Sequence, residues 1–152
     1  MLPKNSKVID ILIADDDAED RMLIRDALIA NRLNNNLQFV EDGEQLMDYL
    51  QHQGKYSDKR KYPRPGLVLL DLNMPRKDGR EALLEIKANP ELRTMPVIVL
   101  TTSKAEEDIL RTYNLGVSSF ITKPVSFNAL VNIMQTLKKY WFEIVELPPA
   151  NS

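Results

Sequence analysis

The hydrophobic positions of this chain form two alternating patterns. Short apolar runs are typical of strands buried on both faces of a parallel sheet, and apolar residues three or four positions apart are typical of helices covering it. The runs predict strands at Val8–Ala14, Leu37–Val40, Leu67–Leu70, Val97–Leu100 and Ser118–Thr122. The helical spacing predicts a first helix over Asp20–Arg32, a second through Leu46, Met47 and Leu50, and a third over Arg80–Ala88. A fourth helix is expected to start at Ser103, which forms a capping box with Glu106, and to end near Gly116. A fifth is expected from about Ser126 to Trp141. Five strand–helix units call for parallel strands with right-handed crossovers and an α/β sheet covered on both faces.

Length and composition fit one domain. The chain has 152 residues, of which 43% are hydrophobic, enough for one core and too few for two. We expect a single domain over residues 1–147, with an extended C-terminal helix and tail, and a short tail over 148–152. The formal net charge of -2 gives no general affinity for nucleic acid, and no apolar stretch is long enough to span a membrane. Residues 1–7 lack a signal-peptide core, so the default expectation is a cytoplasmic location. The chain has no cysteine, which excludes disulfides and thiolate metal sites.

Charged residues follow three of the apolar runs. Asp71 closes the run Gly66–Leu70, Asp15 and Asp16 follow the first strand, and Lys123 follows the fifth. The carboxyl ends of parallel strands meet at one edge of the sheet, where open α/β sheets bind ligands. Three carboxylates and one ammonium are therefore expected to converge.

Converging carboxylates repel one another unless a cation lies between them. Oxygen ligands without nearby histidine or cysteine favour magnesium over zinc. The Lys123 ammonium and the Thr101 hydroxyl would complete a receptor for a phosphoryl group. In that receptor Asp71 is either a metal ligand or a nucleophile.

These residues resemble the receiver domain of bacterial two-component response regulators. The resemblance is carried by Asp15-Asp16, by Asp71-Leu72-Asn73-Met74-Pro75 with Asp78-Gly79, by Thr101, and by Phe120-Ile121-Thr122-Lys123-Pro124. It implies a flavodoxin-like, doubly wound five-stranded parallel sheet in the order 2-1-3-4-5, with five helices in a three-layer α/β/α arrangement. It also implies that a sensor histidine kinase phosphorylates Asp71 in a phosphorelay.

The same resemblance assigns roles to the other residues. Mg²⁺ would be bound by Asp16 directly, by Asp15 through water, by Asp71, and by the backbone carbonyl of Asn73. Lys123 would pair with the phosphoryl oxygens, with a cis bond to Pro124. Thr101 would turn toward the phosphoryl group on activation. Phe120 takes the place of the switching aromatic residue, and core packing remains an equal alternative for it.

A second resemblance is to the small single-domain response regulators paired with bacterial and cyanobacterial phytochromes. It rests on the basic segment Lys55–Arg64, the turn Asn34–Asn36, and the ending Tyr140–Phe142 through Leu147–Pro149. It implies a phytochrome as the sensor kinase. The protein would be a stand-alone signalling receiver without an output domain, and not an enzyme beyond its own phosphotransfer and autodephosphorylation. Its output would be direct protein binding or relay to a histidine phosphotransfer protein.

Two other functions would fit parts of this pattern. An aspartate-nucleophile phosphatase usually carries a general acid two residues after the nucleophile, where this chain has Asn73, which cannot donate a proton in that way. The other alternative is a phosphorylation-independent dimerising or binding module, as in receivers that have lost site residues, but the expected site residues are all present here. His52 is expected on a solvated helix, and Lys55–Arg64 is expected to be a solvated loop or a docking surface.

The fifth helix carries more apolar residues than one buried face requires. One stripe would pack on the sheet and comprises Leu130, Met134, Leu137 and Trp141. A second stripe comprises Ile133, Tyr140, Ile144 and Leu147, and with Trp141 and Phe142 these residues are the expected interface of a homodimer. The alternative is that the tail folds back over its own domain. Exposed apolar patches of this kind mark interaction surfaces, and a symmetric dimer is the commonest cover.

Overall fold

The computed structural model describes residues 10–30, 36–101, 104–112, 116–117, 119–122 and 127–137. The strands are β1 (Asp10–Ala14), β2 (Asn36–Val40), β3 (Leu67–Asp71), β4 (Val97–Thr101) and β5 (Ser119–Thr122). The helices are α1 (Ala18–Ala30), α2 (Gly43–Leu50), α3 (Gly79–Ala88), α4 (Lys104–Thr112) and α5 (Phe127–Leu137). A 3-10 turn covers Gly54–Tyr56. The predicted alternation of strands and helices is confirmed.

All neighbouring strands of the sheet pair in parallel, in the order β2-β1-β3-β4-β5. This confirms the flavodoxin-like sheet. In register, Ala14 pairs with Leu70, Asp71 with Leu100, and Thr101 with Thr122. The carboxyl ends of β1, β3, β4 and β5 therefore reach the same edge of the sheet.

Alternate side chains of the strands enter two separate cores. On one face Ile13, Leu69 and Leu100 pack with α1 and with Leu130 and Met134 of α5. On the other face the strands pack with α2 and α3, together with Tyr49 and Tyr56. Leu130 and Met134 are buried as predicted. The two cores make the three layers of the predicted architecture, and they hold the strand ends in place.

The segment between α2 and β3 is ordered around three tyrosines. The ring of Tyr49 lies 5.3 Å from that of Tyr56 and 5.7 Å from that of Tyr62, and the last two lie 4.9 Å apart. The prediction for His52 was wrong: it lies in a turn after α2 with a φ of 56°, half-buried, with its Nε2 3.0 Å from the Tyr62 carbonyl oxygen. The polar neighbours of His52 in the sequence favour a solvated helix, and they give no indication that the chain packs here around three tyrosines.

The start of α1 differs slightly from the sequence prediction. α1 begins at Ala18 rather than Asp20, because the Asp17 carboxylate accepts the backbone N–H groups of Glu19 at 2.8 Å and Asp20 at 3.3 Å. The predicted extension of the fifth helix to Trp141 lies outside the described residues. Among the described helices, none is both long and apolar enough to cross a membrane.

Candidate functional site

Asp71 is the last residue of β3, and its side chain is buried. Its relative exposure is 3%. Its Oδ1 accepts the backbone N–H of Asn73 at 3.0 Å, and the N–H of Leu72 donates to the Leu100 carbonyl at 3.1 Å. The loop that follows Asp71 is thus tied both to the carboxylate and to the neighbouring strand. These bonds orient Asp71 at the carboxyl edge of the sheet.

Asp15 and Asp16 join Asp71 in one acidic cluster. Carboxylate oxygens of the three residues all lie within 4.8 Å of one another, with Asp15 and Asp71 buried and Asp16 exposed. Asp15 is held by its surroundings: its Oδ1 accepts the Asp17 N–H at 2.9 Å, and its carbonyl accepts the Arg21 guanidinium at 2.7 Å. The predicted convergence of the three carboxylates is found in the structure.

The cluster suits a divalent cation. Its donors are all carboxylate oxygens, the ligands preferred by magnesium and manganese. Two opposite ligands of one magnesium ion lie about 4.2 Å apart, twice the Mg–O distance of about 2.1 Å. Carboxylate oxygens that lie within 4.8 Å of one another are therefore close enough to share one bound ion. Two buried anionic groups in such proximity also favour a bound cation electrostatically.

Thr101 ends β4, next to Asp71, and is fully buried. Its hydroxyl donates to Oε2 of Glu106 at 3.0 Å. Glu106 also forms an ion pair with Arg80 in the first turn of α3. The sequence predicted Glu106 only as part of a capping box with Ser103, which lies outside the described residues. It predicted Arg80 only as the start of the third helix and assigned it no role in the site.

The loop from β3 to α3 passes through two close backbone contacts. A Cβ on Gly79 would overlap the carbonyl oxygen of Asp71, and one on Gly43 would overlap the carbonyl oxygen of Lys77. The Gly43 N–H donates to that same Lys77 carbonyl at 2.8 Å. Arg76 has a φ of 64°, in the left-handed region. The ammonium of Lys77, the next residue, donates to the Glu85 carboxylate, and this hydrogen bond raises the pKa of Lys77.

Of the other predicted site residues, the structure describes Phe120 and Asn73. Phe120 lies on β5, half-buried and packed against the core on the α2 and α3 face. Asn73 is exposed, beside the acidic cluster. Lys123, Pro124, Tyr140, Trp141, Phe142, Ile144 and Leu147 lie outside the described residues, as does the side chain of Ile133.

A doubly wound parallel sheet with three clustered aspartates at its carboxyl edge, and a buried threonine at the end of the next strand, defines a receiver-type α/β protein. The family model for the response regulator receiver domain matches residues 11–135, and the chain belongs to that family.

Among known proteins, the chain is 42% identical over 140 residues to response regulator Rcp1 of Synechocystis sp., covering 92% of this chain and 93% of that protein. The crystal structure of the Mn²⁺-bound form of Rcp1 superposes with a TM-score of 0.80 at 41% identity, over 93% of this chain and 99% of the other. The crystal structure of the phosphorylated cyanobacterial phytochrome response regulator RcpA superposes with a TM-score of 0.82 at 38% identity, over 94% of this chain and 100% of the other.

Proposed function

We propose that this chain is a phosphorylation-activated response regulator that accepts a phosphoryl group on Asp71 from a sensor histidine kinase. An oxygen of Asp71 would bond to phosphorus as the phosphorus–nitrogen bond to the kinase histidine breaks. The observation that carries this proposal is the cluster of Asp71 with Asp15 and Asp16, whose oxygens lie within 4.8 Å of one another. Phosphoryl transfer depends on positioning and charge neutralisation more than on acid–base chemistry.

Mg²⁺ is the proposed cofactor, held by Asp16, by Asp15 through water, by Asp71, and by the Asn73 carbonyl. When bound, it supplies the positive charge that offsets these carboxylates and the incoming phosphoryl oxygens. The Mn²⁺-bound form of Rcp1 supports a divalent cation in a similar protein. The hydrogen bond from the Asn73 N–H to Asp71, 3.0 Å long, orients the accepting carboxylate.

Lys123 and Thr101 are proposed to bind the phosphoryl oxygens. Lys123 directly follows Thr122, which pairs in register with Thr101 across β4 and β5. A hydroxyl from the end of β4 and an ammonium just after β5 would then approach Asp71 from the same side of the sheet. Phe120, half-buried against the core, is proposed as the switching aromatic residue, with core packing as the alternative.

The proposed kinase is a phytochrome. The support is the similarity to RcpA, a phytochrome response regulator whose crystal structure is of the phosphorylated form. The phosphoryl group would then act through direct protein binding or pass to a histidine phosphotransfer protein. These exchanges would take place in the cytoplasm, as expected from the sequence.

A homodimer is proposed through the end of the chain, with Ile133, Tyr140, Trp141, Phe142, Ile144 and Leu147 at the interface. Two described residues of α4 and α5 add exposed apolar surface. Ile109 on α4 is 56% exposed, and Phe127 at the start of α5 is 39% exposed. Large exposed apolar side chains of this kind mark surfaces that a stable interface can cover.

Incubation with acetyl phosphate and Mg²⁺, followed by intact-mass measurement, tests the proposed phosphorylation. We expect a mass increase of one phosphoryl group that hydroxylamine removes, as an acyl phosphate requires. A phosphatase would instead consume acetyl phosphate continuously without requiring a stable adduct. A phosphorylation-independent binding module would show neither labelling nor turnover, which would refute the proposal.

A further inference from the structure

The Thr101 hydroxyl is engaged by a partner other than Asp71. Thr101 is fully buried, and its Oγ1 donates to the Glu106 carboxylate at 3.0 Å. A threonine hydroxyl has one proton to donate. While that proton lies on Glu106, it is not donated to an oxygen at Asp71.

Glu106 is in turn fixed by Arg80. Its Oε1 pairs with the Arg80 guanidinium, while its Oε2 accepts from Thr101. Arg80 also donates to Oδ1 of Asn73 at 3.4 Å and lies 3.6 Å from the Asp78 carboxylate. A continuous path of polar contacts therefore runs from the loop after Asp71, through α3 and α4, to the end of β4.

We propose that Glu106, held by Arg80, is a positioning residue that keeps the Thr101 hydroxyl turned away from Asp71 until a phosphoryl group is present. The inference rests on the proposed function, because it concerns the threonine that would bind the phosphoryl group. For Thr101 to donate to the phosphoryl oxygens, its bond to Glu106 must break. The strength of the Glu106 contact then sets how easily the activated arrangement forms.

The burial of this contact distinguishes it from an ordinary surface pair. The side chain of Glu106 is 22% exposed and Thr101 is fully buried, so water competes weakly for the carboxylate. On the same helix, Asp108 lies 3.7 Å from Lys104 with both side chains mostly exposed, at 63% and 74%. A hydrogen bond to a charged acceptor is stronger than one between neutral groups.

The test uses beryllofluoride, a stable analogue of the phosphoryl group, titrated in the presence of Mg²⁺ and followed by NMR of the Thr101 amide and methyl groups. We expect Glu106→Ala to bind beryllofluoride about fivefold more tightly than the parent chain, because a charged acceptor no longer competes for Thr101. Glu106→Gln, with a neutral acceptor of the same size, should fall between the two. Asp108→Ala is the matched control, and it should leave the affinity unchanged.

The effect must pass through the hydroxyl. In a Thr101→Val background, Glu106→Ala should no longer change the affinity, whereas in a Thr101→Ser background the gain should persist. Arg80→Met should give a smaller gain in the same direction, because Glu106 keeps its charge but loses its fixed position.

Three results would overturn the inference: no gain in Glu106→Ala, an equal gain in Asp108→Ala, or a gain that survives Thr101→Val. These results test the inference only if the parent chain is labelled by acetyl phosphate and binds beryllofluoride. If the parent itself does neither, the proposed function fails instead, so the two failures are distinguishable.

Discussion

Gly79 and Asp71 are in direct backbone contact. A Cβ placed on Gly79 would overlap the carbonyl oxygen of Asp71 and lie 2.6 Å from the Cα of Leu72, which are backbone atoms with little room to move. The Gly79 N–H also donates to the Leu72 carbonyl at 3.0 Å. The first residue of α3 therefore fixes the position of the proposed phosphoacceptor.

We expect Gly79→Ala to lower the free energy of unfolding by about 1–3 kcal/mol, the usual cost of overpacking. It should also slow acetyl phosphate labelling of Asp71 beyond what lost stability explains, because the carboxylate is displaced. Urea unfolding and labelling rates would be measured under conditions in which the variant is folded.

Gly54→Ala is the control for Gly79→Ala. Gly54 has a φ of +58°, and no atom lies within 4 Å of the position that a Cβ would take, so alanine there costs about 1–2 kcal/mol through backbone strain alone. Its labelling rate should match that of the parent. Equal labelling rates in both variants would show that Gly79 does not position Asp71.

Asp71→Asn should abolish phosphorylation while leaving the fold intact. In the parent chain the Asn73 N–H donates to the Asp71 carboxylate at 3.0 Å, and the amide oxygen of asparagine can still accept this bond. The amide is not a nucleophile for phosphorus. Intact mass after acetyl phosphate treatment measures the loss, and circular dichroism checks the fold.

Asp78→Asn is the comparison for Asp71→Asn. Asp78 caps α3 by accepting the Glu81 N–H at 3.0 Å, a role that asparagine also fills. This variant should be labelled as the parent is. Full labelling of Asp71→Asn would refute the assignment of the phosphoacceptor.

Magnesium should raise the melting temperature. Binding to the folded state at ten times the dissociation constant stabilises it by about 1.4 kcal/mol, or roughly 3–6 °C for a chain of this length. Asp16→Ala should shrink the shift, because one proposed ligand is lost. Differential scanning calorimetry with and without millimolar Mg²⁺ measures it.

Asp26→Ala is the charge-matched control for the magnesium shift. Asp26 lies on α1, 3.7 Å from Arg25, and its loss should leave the shift unchanged. An identical melting temperature of the parent with and without magnesium would contradict the proposed metal site.

The Tyr49 hydroxyl should make stability depend on alkaline pH. Burial raises the pKa of Tyr49 well above its ordinary value of 10.0. Above about pH 10 the unfolded chain therefore releases a proton that the folded chain retains. The stability contributed by this group is present below about pH 10 and is lost as the pH rises further, by up to about 1.4 kcal/mol per pH unit.

Tyr49→Phe should reduce this alkaline loss of stability. At about pH 8 the variant should be less stable by about 1 kcal/mol, because the hydrogen bond from Tyr49 to the Pro63 carbonyl, 3.0 Å long, is removed. Urea unfolding at about pH 8 and about pH 11 compares the two chains. The same loss of stability in both between these pH values would show that Tyr49 does not titrate as described.

Removal of the chain from Tyr140 onward should convert the proposed dimer to a monomer. Light scattering at micromolar concentration, before and after phosphorylation, measures the mass of the intact and shortened chains. The full-length variant Ile144→Glu should have the same effect, because a charge does not tolerate burial at a dry interface. An intact chain that is monomeric in both states would end the dimer proposal.

Much of the fold and of the acidic cluster follows from local sequence. Four consecutive apolar residues before Asp71 and the run before Asp15 were enough to predict buried parallel strands, because burial on both faces leaves little place for polar side chains. Parallel strands must also end at a common edge, so the sequence is sufficient to predict that Asp15, Asp16 and Asp71 meet. The order of the strands came from the resemblance of the motifs.

The tertiary structure alone decided which side chains meet across long separations. Arg80 reaches Glu106 on the next helix, and Glu106 takes the Thr101 hydroxyl, although nothing local in the sequence distinguishes this glutamate from its neighbours on α4. His52 was wrongly predicted because its turn is fixed by its contact with Tyr62, ten residues away in the chain. Hydrophobic periodicity reports whether a residue faces the core, and it carries no information about the partner that a polar side chain finds there; that choice depends on how the packed helices and strands are placed in three dimensions.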